Sequence, residues 1–378
     1  MSTKQILILQ GGGAFGAYEC GVYQALAPHL DDLAVVAGTS IGAINASMIA
    51  KHYHEKDRGA RTLQRFWKEV LATPSFPFFP FPGVFQHWNA YWTSMLFGNP
   101  HMFTPLITAT SFVSSRPMEQ TLTRHFGSYG PDQVEPRLIV TTVDIQAGKL
   151  IAFDSFEEQI TPHHVVASGS LPPGYPAKEH EGKFYWDGGL WGNTPLPEVL
   201  NALQSSSADE NWPEYQVYIV DLFPAQAMVP QNSLEVSLRM SEIVFADKTT
   251  YDTKSAEWVN RYLTLVRDLE DQKHELPPEL QKRLDREHEC FPDLPKRAVL
   301  HFTHIQRLAL PYDAISGGSD FSPQRIEQLM AQGYTDAKSE LKAKTKVEAR
   351  AKVLATRSVS EATRLKQVYS AASDNRLA

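Results

Sequence analysis

The residue of this sequence best placed for nucleophilic chemistry is Ser40, at the centre of the pentapeptide G-T-S-I-G. An apolar run precedes the pentapeptide and a small-residue helical pattern follows it, which predicts a strand, a sharp turn and a helix. This is the context of a nucleophile elbow, where the flanking glycines, Gly38 and Gly42, let the backbone double back without a clash. A helix that begins beneath Ser40 would stabilise negative charge that develops there during acyl transfer.

A glycine-rich loop, which contains Gly11, Gly12 and Gly13, connects a predicted buried strand at residues 5–9 to a predicted helix. Such a loop presents several backbone amides to an anion. One candidate is the oxyanion of a tetrahedral intermediate formed at Ser40. The other is a dinucleotide pyrophosphate, because the loop also satisfies G-x-G-x-x-G. A dinucleotide site would require an acidic residue at the end of the second strand, where the serine turn stands instead.

A third motif offers a carboxylate. Asp187 is followed by Gly188 and Gly189 and preceded by a short aromatic strand candidate at residues 182–186. On a sharp turn such an aspartate can point into a cleft, although a surface Asp-Gly turn has the same sequence. It is distant from Ser40 in the chain, so only the fold could bring the two side chains together.

Each motif alone has an ordinary structural explanation, but the three in this order resemble the patatin-like phospholipase family of lipid acyl hydrolases. The resemblance implies an α/β fold of three layers, with a mostly parallel central sheet flanked by helices. It implies that Ser40 is the nucleophile, that Asp187 is the general base, and that the glycine loop forms the oxyanion hole. Catalysis would use a Ser-Asp dyad without histidine, metal or cofactor, and the substrate would be a lipid or another acyl ester.

The resemblance covers roughly residues 5–200 and has one departure. The family's glycine loop carries a basic residue where this chain has Phe15. Oxyanion binding through backbone amides should not depend on that side chain, but a cation at this position would be missing for a phosphate headgroup. The small-residue and proline segment 167–173 also resembles the family's sequence before the aspartate motif.

Three alternatives remain at this stage. An α/β-hydrolase-like esterase would use a Ser-Asp-His triad, and His304 near the end of a late predicted strand is its candidate histidine. A nucleotide-binding protein would use the glycine loop. A lipid-binding protein without turnover would have the fold but not the chemistry.

The histidines do not have the spacing of a metal site. His52 and His54 would diverge on a helical pattern, and His163 and His164 are adjacent. We therefore expect solvated or helix-capping histidines and no metal.

Composition narrows the functional classes. The 378-residue chain has a net charge of −7, which argues against nucleic acid as a partner. Its two cysteines, Cys20 and Cys290, are far apart, so no disulfide framework is expected and a reducing compartment fits. We find neither a secretory signal nor the roughly 20 apolar residues of a membrane span. A cytoplasmic location, with peripheral membrane contact left open, is the expectation, and the oligomeric state is not indicated.

Residues 74–110 contain an unusual run of phenylalanines and prolines, including Phe78, Phe79 and Phe81. Prolines at this density prevent a regular helix or central strand, and the segment is too apolar for a solvated linker. We expect an aromatic-rich cap. Its rings would either pack on the main sheet or contribute to an acyl-chain pocket or a lipid-facing lid.

The sequence divides into three segments. Residues 5–205 are the predicted catalytic domain, including the cap, and residues 206–337 are a predicted α/β extension with much helical periodicity. Residues 338–378 are a basic helical or disordered tail with ten Lys or Arg and four Asp or Glu. That tail could lie on anionic lipid or remain solvated.

Overall fold

The computed structural model of the chain describes residues 3–346, except 56, 74–98, 134, 207–212, 225–228, 247–248, 291–297, 310–312 and 314–316. The predicted aromatic residues Phe78, Phe79 and Phe81 and most of the basic tail therefore lie outside the described residues.

A central mixed sheet runs through the molecule in the order β10-β9-β1-β2-β5-β8-β7, and β6 pairs with β5. The pairs β10–β9, β9–β1, β1–β2 and β2–β5 are parallel, whereas β6, β7 and β8 make antiparallel pairs. The strands are β1 Lys4–Leu9, β2 Leu33–Thr39, β5 Arg137–Asp144, β6 Lys149–Asp154, β7 Lys178–His180, β8 Lys183–Asp187, β9 Glu214–Asp221 and β10 Val299–Gln306; a separate hairpin consists of β3 Thr104–Pro105 and β4 Val113–Ser114.

Helices cover the sheet. They are α1 Gly16–Leu26, α2 Ile41–His52, α3 Asp57–Arg65, α4 Arg116–His125, α5 Pro162–Ser168, α6 Leu196–Ser206, α7 Ser233–Phe245, α8 Thr249–Asp271, α9 Pro278–Cys290 and α10, residues 323–346. A π-helical turn, Phe66–Leu71, follows α3. In the described part of the chain, no helix has both the length and the apolar character needed to cross a bilayer.

Strand β1 shows how the core is arranged. Leu7 and Leu9 belong to one buried hydrophobic cluster, and Ile6 and Ile8 belong to a second cluster on the opposite face of the sheet. A strand buried on both faces reads as a continuous apolar run, and that run made β1 recognisable in the sequence. The structure confirms the predicted mostly parallel sheet with flanking helices.

The region after residue 205 contributes to this same sheet. Strand β9 lies beside β1, and β10 lies beside β9, both in parallel register. The predicted boundary at residue 205 therefore falls between strands of one continuous sheet. Helix α10 packs on α1, since Cβ atoms at Gly21 and Gly333 would overlap the backbone oxygens of Met330 and Tyr18.

Candidate active site

Ser40 occupies a strained turn between β2 and α2. Its backbone angles are φ 55° and ψ −122°, a conformation that few residues other than glycine adopt. A Cβ at Gly38 would overlap the carbonyl group of Gly42, and a Cβ at Gly42 would lie 2.5 Å from the carbonyl oxygens of Leu9 and Gln10. The predicted elbow glycines are thus required by close backbone packing.

Strand register brings Asp187 to this turn. Thr39, the residue before Ser40, pairs with Thr141 of β5, and the next residue of β5, Thr142, pairs with Asp187 at the end of β8. A Cβ at Gly188 would lie 2.6 Å from the carbonyl oxygen of Thr141, so the chain turns sharply immediately after the aspartate. The fold therefore joins two motifs that are far apart in the sequence.

The carboxyl group of Asp187 is buried beside the Ser40 hydroxyl. The residue is 3% exposed, and its Oδ1 accepts a hydrogen bond of 2.8 Å from the Gly189 amide. Burial raises the pKa of Asp187 from 3.8 to about 6, and hydrogen bonds from Ser40 and Gly189 offset part of that rise. The group is mainly ionised at neutral pH and is a stronger base than an ordinary aspartate, as a proton acceptor requires.

The glycine loop lies directly against Ser40. A Cβ at Gly11 would lie 2.9 Å from the Ser40 Cβ. The Gly11 amide donates to Asn193 Oδ1 at 3.1 Å, so it is occupied within the protein. Among the described residues, the amides of Gly12 and Gly13 donate to no acceptor. Of the three predicted oxyanion-hole residues, Gly12 and Gly13 thus have amides with no acceptor in the part of the chain that the structure describes.

Two buried amide side chains that the sequence analysis did not single out fix this loop. Asn193 Nδ2 donates to the Gly11 carbonyl oxygen at 3.0 Å and so completes a two-bond clamp. Gln10 Nε2 donates to Thr194 Oγ1 at 2.7 Å, and Gln10 Oε1 accepts from the Leu222 amide at 2.7 Å. The sequence offered only the position of Asn193, four residues after Gly189. Its role becomes visible when the fold places the loop after Asp187 beside the glycine loop.

The small-residue segment before the aspartate also reaches the elbow. The Ser40 amide donates to Ser168 Oγ at 2.8 Å, at the end of α5. A Cβ at Gly169 would lie 3.9 Å from Ser40 Oγ. Small side chains in this segment therefore leave room beside the Ser40 hydroxyl.

His304 is directed elsewhere. Its Nδ1 is 2.9 Å from Asp221 Oδ2 and its Nε2 is 3.1 Å from Thr253 Oγ1, so both ring nitrogens are engaged. The structure does not bring this histidine to Ser40 or Asp187. The alternative triad therefore gains no support from the geometry.

His164 is a helix-capping histidine, one of the two roles expected from the sequence, and it is buried. It caps α5, since its Nδ1 accepts a hydrogen bond of 3.0 Å from the Thr161 amide. Its Nε2 lies 3.2 Å from His180 Nε2 and 3.8 Å from Glu158, and these three ligand-type atoms lie within 4.8 Å of one another. Because Nδ1 is an acceptor, the neutral ring carries its proton on Nε2, which donates to His180 and has no lone pair for a metal.

Comparison with known proteins gives the following matches. A family model described as patatin-like phospholipase matches residues 7–200, and one described as patatin phospholipase matches residues 243–352. The crystal structure of VipD from Legionella pneumophila is similar at 14% identity and a TM-score of 0.37, over 90% of this chain and 67% of that chain. That likeness is too distant to assign a function or a ligand. No curated protein matches the sequence.

Proposed function

The chain belongs to the patatin-like phospholipase family, and we propose that it hydrolyses carboxylic esters of lipids with Ser40 as nucleophile and Asp187 as base. The family match spans both residues. One observation carries the assignment: a serine held in a strained elbow has its hydroxyl against a buried carboxylate whose pKa is raised to about 6. Strain of this kind persists where the surrounding structure enforces it, which is typical of functional sites.

In the acylation step, Ser40 Oγ attacks the ester carbonyl carbon while the Asp187 carboxylate accepts the hydroxyl proton. The carbonyl π electrons move to the oxygen, and this oxyanion is stabilised by the Gly12 and Gly13 amides and the N-terminus of α2. When the intermediate collapses, the ester C–O bond breaks. The departing alkoxide takes the proton from Asp187 and leaves as the alcohol.

Deacylation repeats these reaction steps with water as the nucleophile. Asp187 accepts a proton from the water as its oxygen attacks the acyl carbon, and the same amides hold the second oxyanion. The bond to Ser40 Oγ then breaks, and Ser40 recovers the proton from Asp187. The acid is released, and the two residues return to their starting states.

The substrate is proposed at the level of a lipid ester. Phe78, Phe79 and Phe81 are proposed to line an acyl-chain pocket, and they lie outside the described residues. The aromatic segment and the basic tail are the proposed regions of peripheral membrane contact. Turnover of a series of esters that differ in acyl-chain length and headgroup would define the preferred lipid.

A fluorophosphonate probe tests the nucleophile, because it phosphonylates only an activated serine. We expect one label, located on the Ser40 peptide by mass spectrometry, and loss of both labelling and ester turnover in Ser40→Ala. Ser47→Ala is the matched control, because Ser47 is a buried serine of α2 whose hydroxyl donates to the Ala43 carbonyl oxygen of its own helix. Substantial turnover by folded Ser40→Ala protein would remove Ser40 from the mechanism, and labelling without ester turnover would favour the lipid-binding alternative.

A second comparison tests the base. Asp187→Asn should lower kcat by about 10³-fold or more, as loss of a catalytic carboxylate does in other serine hydrolases. His304→Ala should have a much smaller effect, because its partners are Asp221 and Thr253. Inactivation by His304→Ala together with activity in Asp187→Asn would contradict the dyad.

A further inference from the structure

The second matched segment of the chain, residues 243–352, reaches the glycine loop through a turn at Gly317–Ser319. A Cβ at Gly318 would lie 2.5 Å from the Gly12 carbonyl oxygen. In the opposite direction, a Cβ at Gly13 would overlap the Gly318 carbonyl oxygen. The two backbones are therefore in direct contact, with no side chain between them.

The turn contacts the part of the loop that matters for the proposed oxyanion hole. Within the described ranges, the amides of Gly12 and Gly13 donate to no acceptor, and Gly13 has a φ of +58°. A peptide group with a glycine on each side can rotate easily unless its neighbours hold it. Asn193 fixes the Gly11 end of the loop, and Gly318 packs on the Gly12–Gly13 end.

Arg307 holds the far end of the loop. Its guanidinium carbon lies 3.9 Å from the centroid of the Phe15 ring, and the whole side chain is buried. The guanidinium donates to the Leu222 carbonyl oxygen at 2.7 Å and to Asp313 at 2.6 Å. Arg325 also pairs with Asp313, so the residues on both sides of the turn are fastened together behind the loop.

Helix α10 anchors this assembly to α1, which starts where the glycine loop ends. Tyr18 donates a hydrogen bond of 3.0 Å to Asp336. Gly21 and Gly333 let the backbones of the two helices approach closely. The helix that follows the turn at Gly317–Ser319 is therefore packed against the helix that follows the glycine loop.

From these contacts we infer that Gly318 and Arg307 are positioning residues that set the orientation of the Gly12 and Gly13 amides for oxyanion binding. The inference rests on the proposed function, because it concerns the oxyanion hole of that reaction. Neither residue touches the reacting atoms. The matched segment 243–352 would thereby help to position the oxyanion hole.

Gly318→Ala in the full-length chain tests the inference with a soluble short-chain p-nitrophenyl ester. The added methyl group must displace the Gly12 carbonyl, so kcat should fall at least about 10-fold, in line with losses on removal of an oxyanion donor. KM should stay within about twofold, because ester binding does not use these amides in the ground state. The pH at which kcat/KM is half-maximal should not move, because Asp187 is untouched.

Gly192→Ala is the matched control, since its Cβ would meet nothing within 4 Å. Should Gly318→Ala fail to fold, Arg307→Lys provides the second test. It keeps the charge but loses the guanidinium over the Phe15 ring, and the same selective loss of kcat is expected.

The proposed function is tested separately by wild-type turnover and its dependence on Ser40. If the wild-type protein is active but Gly318→Ala and Arg307→Lys both keep kcat within twofold of wild type, the inference is wrong. A loss of kcat that only follows a loss of thermal stability, with KM changed equally, would also overturn it. A selective kcat loss in a folded variant, absent in Gly192→Ala, supports it.

Discussion

At the scale of single residues, burial changes what an aspartate can do. Asp187 is buried at the end of β8, and this burial raises its pKa. Hydrogen bonds from the Ser40 hydroxyl and the Gly189 amide stabilise the carboxylate and lower the pKa again in part. An ordinary aspartate, with a pKa of about 4, is a weak acceptor for a hydroxyl proton. A pKa of about 6 brings the carboxyl group closer to the pKa of the hydroxyl that it must deprotonate, and it leaves the group mainly ionised at neutral pH.

The first prediction concerns the pH dependence of the reaction. Because the base must be unprotonated, kcat/KM for a neutral ester should rise with pH through an apparent pKa of about 6 and then level off. Initial-rate measurements between pH 4.5 and pH 8.5 give kcat/KM as a function of pH, and circular dichroism checks the fold at each pH. A midpoint near 4 would mean that the carboxylate is not the perturbed base described above.

The second prediction concerns His164, whose pKa burial lowers from 6.5 to about 4. Between these values the unfolded chain binds a proton that the folded chain excludes, so stability falls as pH falls. The loss reaches at most about 1.4 kcal/mol per pH unit. In His164→Gln the amide oxygen can still cap the Thr161 amide without titrating, so urea unfolding should show a shallower loss of stability from pH 6.5 to pH 4.

His274→Gln, at an exposed position, is the control for that comparison. An equal pH dependence in wild type and His164→Gln would show that the buried histidine is not responsible.

Not every residue of the site had a signal in the sequence. Ser40 and Asp187 stood out because glycines must flank sharp turns, and the structure brings these two residues together. Asn193 did not stand out, because its partner, Gly11, becomes its neighbour only after folding. A polar residue without a local pattern reads as surface until its contacts are known.

At the scale of elements, local patterns identified β1 and β2, because both are largely apolar runs that end at a glycine-containing turn. Local patterns could not predict which strands that are distant in the sequence pair with each other. The position of β9 beside β1, ahead of β2 in the sheet order, follows from burial of both strand faces rather than from any local pattern. The clamp between Asn193 and Gly11 likewise joins residues 182 positions apart, so no local pattern indicates it.

The third prediction tests this clamp. Asn193→Ala removes both hydrogen bonds to Gly11, so the loop should lose its fixed position relative to Ser40. We expect kcat to fall between about 10-fold and 100-fold, with a smaller change in KM, because small displacements of positioned groups have effects of this size.

Asn260→Ala is a matched control, because Asn260 clamps Leu300 through the same pair of backbone groups on β10. Steady-state kinetics and melting temperatures of both variants separate positioning from general stability. Similar kcat values for the two variants would contradict a specific role for Asn193.

At the scale of the whole molecule, residues from both ends of the chain build one sheet and one site. Strand β9 pairs with the edge of β1, and Tyr215, Val217 and Ile219 share a buried cluster with Ile6 and Ile8. On the other face, α10 packs on α1. The matched segment 7–200 therefore contains the proposed catalytic residues without enclosing its own core.

The last prediction follows from this arrangement. A fragment ending at residue 205 would expose the edge of β1 that pairs with β9, and an unpaired hydrophobic strand edge promotes aggregation. We expect it to be insoluble or to melt without a cooperative transition, and to bind no fluorophosphonate. A fragment ending at residue 346 keeps every strand and helix named above, so it should melt cooperatively and label at Ser40. A soluble 1–205 fragment with a cooperative transition and a labelled serine would show that the first segment folds independently, and that β9 and β10 only extend a sheet that is already stable.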